Sequence, residues 1–194
     1  MNTRDVINAW DQAGPDHIHP SRGVSEEAYW QSGAQTAAAL AEVLKPGCKV
    51  ADFGCGDGRV AIPLRRLGFD VTGADASPTM LAALAENAPD MPAVESDGSD
   101  LYTKLGHKVD AVVCLAVLIH HSRPSVLAIL DGLCEAVRKG GLLILDWPTS
   151  DHPEEATIWI DVTTWDLEVQ AAEAAKRGLK RIHSDRPWAV FRKT

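Results

Sequence analysis

Asp52, Asp75, Asp97 and the pair His120-His121 each stand where an apolar run gives way to glycine, serine or proline, the places at which a strand hands the chain to a loop. Around the first acid the chain reads Lys-Val-Ala-Asp-Phe-Gly-Cys-Gly-Asp-Gly-Arg from Lys49 to Arg59. Gly54, Gly56 and Gly58, spaced two apart, permit a positive-φ turn that brings backbone close to a bound molecule. The spacing argues against two nucleotide motifs: the hydride-transfer pattern G-x-G-x-x-G needs glycine where Arg59 stands, and no G-x-x-x-x-G-K-[ST] phosphate loop is present. Asp75, 23 residues beyond Asp52, is suited to accept both hydroxyls of a ribose, or to cap the helix that Ser77-Pro78 begins. His120 and His121, with an unperturbed pKa of about 6.5, suit general-base work on an acceptor that must lose a proton. Adjacent side chains point in different directions, so one histidine is expected to face substrate and the other to pack or cap. Asp146, at the end of a later apolar run, is the second candidate for the base.

The segment Asp52-Phe-Gly54-Cys-Gly56-Asp-Gly58 resembles motif I of the class I S-adenosylmethionine-dependent methyltransferases. The resemblance is specific from Lys49 to Pro148 and architectural on either side. It implies S-adenosyl-L-methionine as cofactor, with the D-x-G-x-G-x-G turn wrapped around its methionine end and Asp52 anchoring the amino group. It further implies that Asp75 binds the ribose and that Asp97 meets the adenine, although Ser96-Asp97-Gly98-Ser99 would also form a turn unaided. The cofactor site so implied comprises Asp52, Gly54, Cys55, Gly56, Gly58, Asp75, Ala76, Asp97, Gly98 and Leu115. An aromatic N-terminal lid is implied too, with Tyr29 and Trp30 as its candidates; core packing is their equal alternative. Residues after the fourth strand line the substrate side in this family, which places His120 and His121 at the mouth of the active site.

The elements that must hold these residues follow from pattern. Strands are expected at Lys49–Phe53, Phe69–Asp75, Ala93–Glu95, Val109–Leu118 and Gly141–Asp146, the fourth a continuous apolar run of the kind buried on both faces of a parallel sheet. Helices are expected at Glu26–Leu44, from Ser77-Pro78 onward, at Pro124–Lys139 closed by Gly140-Gly141, and at Trp165–Arg177. Leu179–His183 and Trp188–Arg192 read as two closing strands. The expected fold is α/β, a Rossmann-like, doubly wound, mainly parallel sheet of seven strands with a C-terminal antiparallel hairpin. Residues 1–194 are expected to form a single methyltransferase domain in which 1–45 is an N-terminal helical or lid segment.

Composition narrows the partners. A net charge of −8 over 194 residues disfavours broad nucleic-acid binding, and the seven basic residues between Lys176 and Lys193 fit a helix end and a solvated hairpin. No apolar run reaches membrane-spanning length. Cys48, Cys55, Cys114 and Cys134 show no C-x-x-C spacing and no leader precedes them, so a reduced, cytoplasmic protein is expected, with Cys55 and Cys114 as packing residues. His17-x-His19 matches no compact ligand spacing, and no metal is expected. The acceptor is expected to be a small molecule with an O or N nucleophile: no large insertion follows the fifth strand, and neither an Asn-Pro-Pro-Tyr tetrad nor a Pro-Cys nucleophile is present. Trp30, Trp147 and Trp159 could wall its pocket or serve as core. A cofactor-binding regulator without turnover, a macromolecular acceptor, and a nicotinamide enzyme on the same scaffold are the alternatives. Oligomeric state is not legible.

Overall fold

The computed structural model describes residues 3–13, 25–149, 163–183 and 188–194. Seven strands, β1 (Lys49–Phe53), β2 (Asp70–Asp75), β3 (Ala93–Glu95), β4 (Val109–Cys114), β5 (Val137–Leu145), β6 (Leu179–His183) and β7 (Ala189–Lys193), form one sheet in the order β3-β2-β1-β4-β5-β7-β6. The first five run parallel, and β7 lies antiparallel between β5 and β6. Strand order reverses between β1 and β4, which opens a crevice at their carboxyl ends.

Alternation along the strands sends successive side chains to opposite cores. Ala51, Val112, Leu143 and Leu145 pack on one face with Leu101, Ile129 and Leu133. Val50, Val113 and Ile144 pack on the other with Leu40, Leu64 and Leu84. Both faces being covered explains why these strands read as apolar runs rather than as alternating ones. The covering helices are α1 (Thr3–Ala13), α2 (Glu26–Ala41), α3 (Ala61–Arg66), α4 (Pro78–Asn87), α5 (Leu101–Leu105), α6 (Arg123–Ala136) and α7 (Leu167–Lys176). Ser25, Ser77 and Asp166 cap α2, α4 and α7 through side-chain oxygens that accept backbone amides of the first turn.

Three expectations are corrected. The fourth strand stops at Cys114 rather than Leu118, because Ala116 takes a positive φ of 57° and residues 118–120 form a 3-10 turn. The helix expected over Pro124–Lys139 ends at Ala136, and Gly140-Gly141 lie inside β5. There they form an irregularity in the β4–β5 register, with Gly140 at φ +77° and a Cβ on Gly141 destined to lie 2.6 Å from the Asp110 carbonyl oxygen. The helix needs no glycine to stop: Lys193 Nζ donates to the carbonyls of Cys134 and Val137, and Lys108 Nζ to that of Glu135. Trp165 precedes the last helix instead of starting it, and pairs with Thr149 in an isolated bridge. The strands expected at Lys49–Phe53, Ala93–Glu95 and Leu179–His183 have the expected bounds, and no other end shifts by more than four residues. The turn-rich stretch Gly14–Gly23 with His17 and His19, and Trp159, lie outside the described residues.

Candidate functional site

At the carboxyl ends of β1, β2 and β4 a cavity of about 300 Å³ lies between the glycine turn and α1. The turn is held by Gly54 and Cys55, whose amides donate to the Ala74 carbonyl at 2.7 and 3.1 Å. Gly54 is obligatory: its φ is +76°, and a Cβ there would lie 2.1 Å from Val117 Cγ2. Gly56, at φ +55°, faces open space on the cavity side. Gly58 and Gly98 do not line the cavity. A Cβ on Gly58 would meet Ile62 and Leu84 at 2.6 Å, and one on Gly98 would meet Phe53 at 2.7 Å, so both glycines serve close packing behind the site.

Three acids face the cavity and are held differently. The Asp52 carboxylate, 4% exposed, has no hydrogen-bond partner among the described residues. Burial pushes its pKa up to about 7, with the Arg59 charge opposing and the Asp75 charge reinforcing the shift. Asp75 accepts the Gly56 amide on Oδ2 and the Ser77 amide on Oδ1, each at 2.9 Å. It therefore ties the tip of β2 to the glycine turn, while Ser77, not Asp75, caps α4. Burial still raises the Asp75 pKa against those two amides. Asp97 is exposed at the cavity rim, and its Oδ1 accepts the amide and hydroxyl of Ser99 at 2.9 and 2.6 Å, the local turn that its neighbours favour. Ala76 and Leu115 line the cavity, as does the buried Cys55, whose thiol burial holds well above its usual pKa.

The turn after β4 brings both histidines to the cavity, against the expectation that adjacent side chains would diverge. Strand alternation does not apply there, because His120 ends the 3-10 turn and His121 is extended, at φ −101° and ψ 148°. His120 meets the Trp10 ring edge-on at 5.8 Å between centroids. His121 is buried with no partner on Nδ1, and burial, helped by His120, lowers its pKa to about 4. Asp146 does not line the cavity. It sits behind the turn, where its carboxylate takes the Ala116 amide and supports the positive φ of that residue.

Of the aromatic candidates, Tyr29 lines the cavity and Trp30 does not. The Tyr29 hydroxyl donates to Asp57 Oδ1 at 2.8 Å, and burial followed by that carboxylate holds the phenol far above its usual pKa. Trp30 packs edge-on against Tyr29 and into the second core. Trp147, 4% exposed, is likewise core, edge-on to Trp165. The tryptophan at the cavity is Trp10, on α1, whose Val6 and Ile7 complete an apolar wall. The spacing Val6-Ile7-Trp10 is a helical stripe visible in the sequence, but its partner surface is not. Asp11 anchors α1 across the cavity, accepting the Ser77 hydroxyl at 2.9 Å and the Thr79 amide at 3.1 Å. Arg59 also lines the cavity, and its only signal in the sequence is that it stands where the hydride-transfer pattern needs glycine.

Among the described residues no three His, Cys, Asp or Glu side chains converge as a metal site, and no helix is long and apolar enough to cross a membrane.

Residues 50–141 match a family model described as "Methyltransferase domain". The chain is 35% identical over 91 residues to a magnesium-protoporphyrin O-methyltransferase of Synechocystis, covering 45% of this chain and 40% of that protein. It is 31% identical over 139 residues to a ubiquinone biosynthesis O-methyltransferase of Methylobacterium, covering 69% and 55%. The matches thus span about half the length of these curated relatives. Among solved structures, the Synechocystis magnesium protoporphyrin IX methyltransferase with bound S-adenosylhomocysteine superposes at a TM-score of 0.73, 21% identity, over 98% of this chain and 97% of that one. A Burkholderia thailandensis 1,6-didemethyltoxoflavin-N1-methyltransferase gives 0.73 at 18% identity over 100% and 91%; at such identities both show the fold alone. The matched segment builds the glycine turn, the acids that face it and the exit from β4, and over these residues the chain is similar to the methyltransferase-domain family.

Proposed function

We propose that residues 1–194 form one methyltransferase domain that transfers the methyl group of S-adenosylmethionine to an O or N nucleophile on a small acceptor, with 1–45 as a segment closing over the cofactor. The observation that carries this reading is a cavity with two unlike walls: glycine turn and acids on one side, the 115–121 segment and α1 on the other. The residues present fit the cofactor. Asp52 has an unpartnered carboxylate for an ammonium, Asp75 keeps lone pairs beyond its two backbone amides for ribose hydroxyls, and about 300 Å³ is within the range of small-molecule sites. Asp97 would meet the adenine at the rim.

The bound sulfonium supplies an already activated methyl group, so the protein's work is alignment and exclusion of water. Val6, Ile7, Trp10, Leu115 and Val117 present apolar surface, which favours a small, largely apolar acceptor. His120 is the group we assign to remove the acceptor's proton. His121, neutral throughout the physiological range, accepts a hydrogen bond and orients rather than deprotonates. Cys48, Cys55, Cys114 and Cys134 are all free thiols, which agrees with a reducing, cytoplasmic setting.

Equilibrium titration with S-adenosylmethionine, S-adenosylhomocysteine and NAD, followed by transfer of labelled methyl to a panel of small phenols and amines, tests the reading. Tight binding of the first two and labelled product are expected; preferential NAD binding would overturn it.

A further inference from the structure

The backbone of His120 is fixed, but that backbone does not aim its ring. Ala116 at φ +57° turns the chain out of β4, the His120 and His121 amides donate to the Val117 and Leu118 carbonyls at 3.1 and 3.2 Å, and the Ile119 carbonyl takes the Thr163 amide at 2.7 Å. Those bonds place the His120 Cα at the cavity. They leave the imidazole its terminal torsion, which is broad and roughly two-fold, so the rotation of the ring is set by what the ring touches. It touches Trp10: the two rings meet edge-on, with 5.8 Å between centroids and 60° between planes. Trp10 is itself fastened through α1. One turn earlier Val6 is 3% exposed, and one residue later Asp11 accepts the Ser77 hydroxyl and the Thr79 amide at 2.9 and 3.1 Å.

We propose that Trp10 is a positioning residue for the methyl-transfer step: its indole, carried to the cavity by α1, sets the rotation of the His120 imidazole and so the direction in which that ring takes the acceptor's proton. The proposal rests on the assignment of His120 as the base and adds to it the group that aims it. An indole suits the task because an edge-to-face pair of rings has a preferred mutual orientation, which an aliphatic side chain does not impose. A base works only within hydrogen-bond reach of the proton it removes, so a ring turned away from the acceptor costs rate rather than binding.

Steady-state kinetics at saturating S-adenosylmethionine, on the member of the phenol and amine panel that is methylated fastest, test it with Trp10→Phe, Trp10→Leu, His120→Ala and the double variant. Trp10→Leu is expected to lower kcat about tenfold, less than loss of the base itself, and Trp10→Phe, which keeps an aromatic edge, to stay within about threefold of the wild type. In the His120→Ala background the change Trp10→Leu should move kcat by less than about twofold, because a residue that acts through the imidazole has nothing left to act on. An equal loss of kcat in both backgrounds, which marks a structural role, a raised KM at unchanged kcat, which marks a pocket wall and nothing more, or no rescue by phenylalanine would each overturn the proposal. A further readout needs no variant: in the wild-type complex with S-adenosylhomocysteine, nuclear Overhauser effects are expected between the Trp10 indole and the His120 ring protons, and their absence would overturn it too. No labelled product from the wild-type protein, or His120→Ala turning over at the wild-type rate, overturns instead the reading on which the proposal rests, and the proposal with it.

Discussion

Asp52 and Asp75 place the same functional group in the same cavity, and their surroundings give them different work. Asp75 has two backbone amides on its oxygens and acts as a rivet between β2 and the glycine turn. Asp52 has none, and burial leaves it with a pKa of about 7 against 3.8 for the ordinary carboxyl. A folded-state pKa raised above the unfolded one stabilises the fold fully below pH 3.8, and that contribution is lost as pH rises through about 7. Ligand binding runs the other way, because an ammonium demands the ionised carboxylate. Affinity for S-adenosylhomocysteine should therefore fall about tenfold from pH 8 to pH 6, and Asp52→Asn should bind more weakly with a flattened profile; titration calorimetry across that range checks both. Asp75, also raised by burial, and Arg59 are the charges that face Asp52; because the Asp75 charge reinforces the Asp52 shift, Asp75→Asn should move the pH profile to lower pH without abolishing it. For the histidines, replacement of His120 by Ala should lower turnover by about 10²-fold with cofactor affinity unchanged, while His121→Ala should lower it less. Single-turnover rates over pH 5–9 decide this: the larger loss is expected with His120→Ala, and no ionisation should disappear with His121, which is already neutral there.

At the scale of elements, α1 forms one wall of the cavity and Asp11 is the latch that ties it to α4. The helix offers Val6, Ile7 and Trp10 to the cavity, and the Asp11 carboxylate reaches the first turn of α4 through Ser77 and Thr79. Those hydrogen bonds, the Thr79 amide first, hold the Asp11 pKa below its usual value. The sign follows: the latch is present at neutral pH and released as pH falls through that lowered pKa. Asp11→Ala should speed hydrogen exchange of the amides in residues 3–13 while leaving those of β1 and β4 protected, and should weaken S-adenosylhomocysteine several-fold. The sequence alone delimits no helix at α1 although its apolar stripe is pronounced, because an eleven-residue helix is stable only when a partner surface covers that stripe. Tyr29 and Trp30 show the same limit. Both are aromatic and adjacent, and only the rotation of α2, fixed by the approach of Gly33 to Arg59, sends Tyr29 to the cavity and Trp30 to the core.

At the scale of the whole molecule, the sheet is the rigid body on which these loops are mounted. Leu143, fully buried at the centre of β5 and distant in role from the cavity lining, is a test of that division. Leu143→Ala should cost about 2 to 5 kcal/mol of stability, read as a lower urea midpoint at unchanged slope, with cofactor affinity in the folded protein preserved. The parallel sheet, the hairpin and the strand-end acids were legible in the sequence because they rest on local rules: apolar runs for doubly covered strands, glycine where φ must be positive, an acid at the tip of a strand. The chain by itself therefore determined the fold class and the cofactor wall. Which residues share the opposite wall was decided only in three dimensions. His120 and His121 converge through a 3-10 turn that breaks strand alternation, Trp10 replaces Trp30 and Trp147 because α1 folds across the crevice, and Arg59 gains its place from a helix more than twenty residues upstream. Those are consequences of packing between elements remote in sequence, for which no local spacing carries a signal.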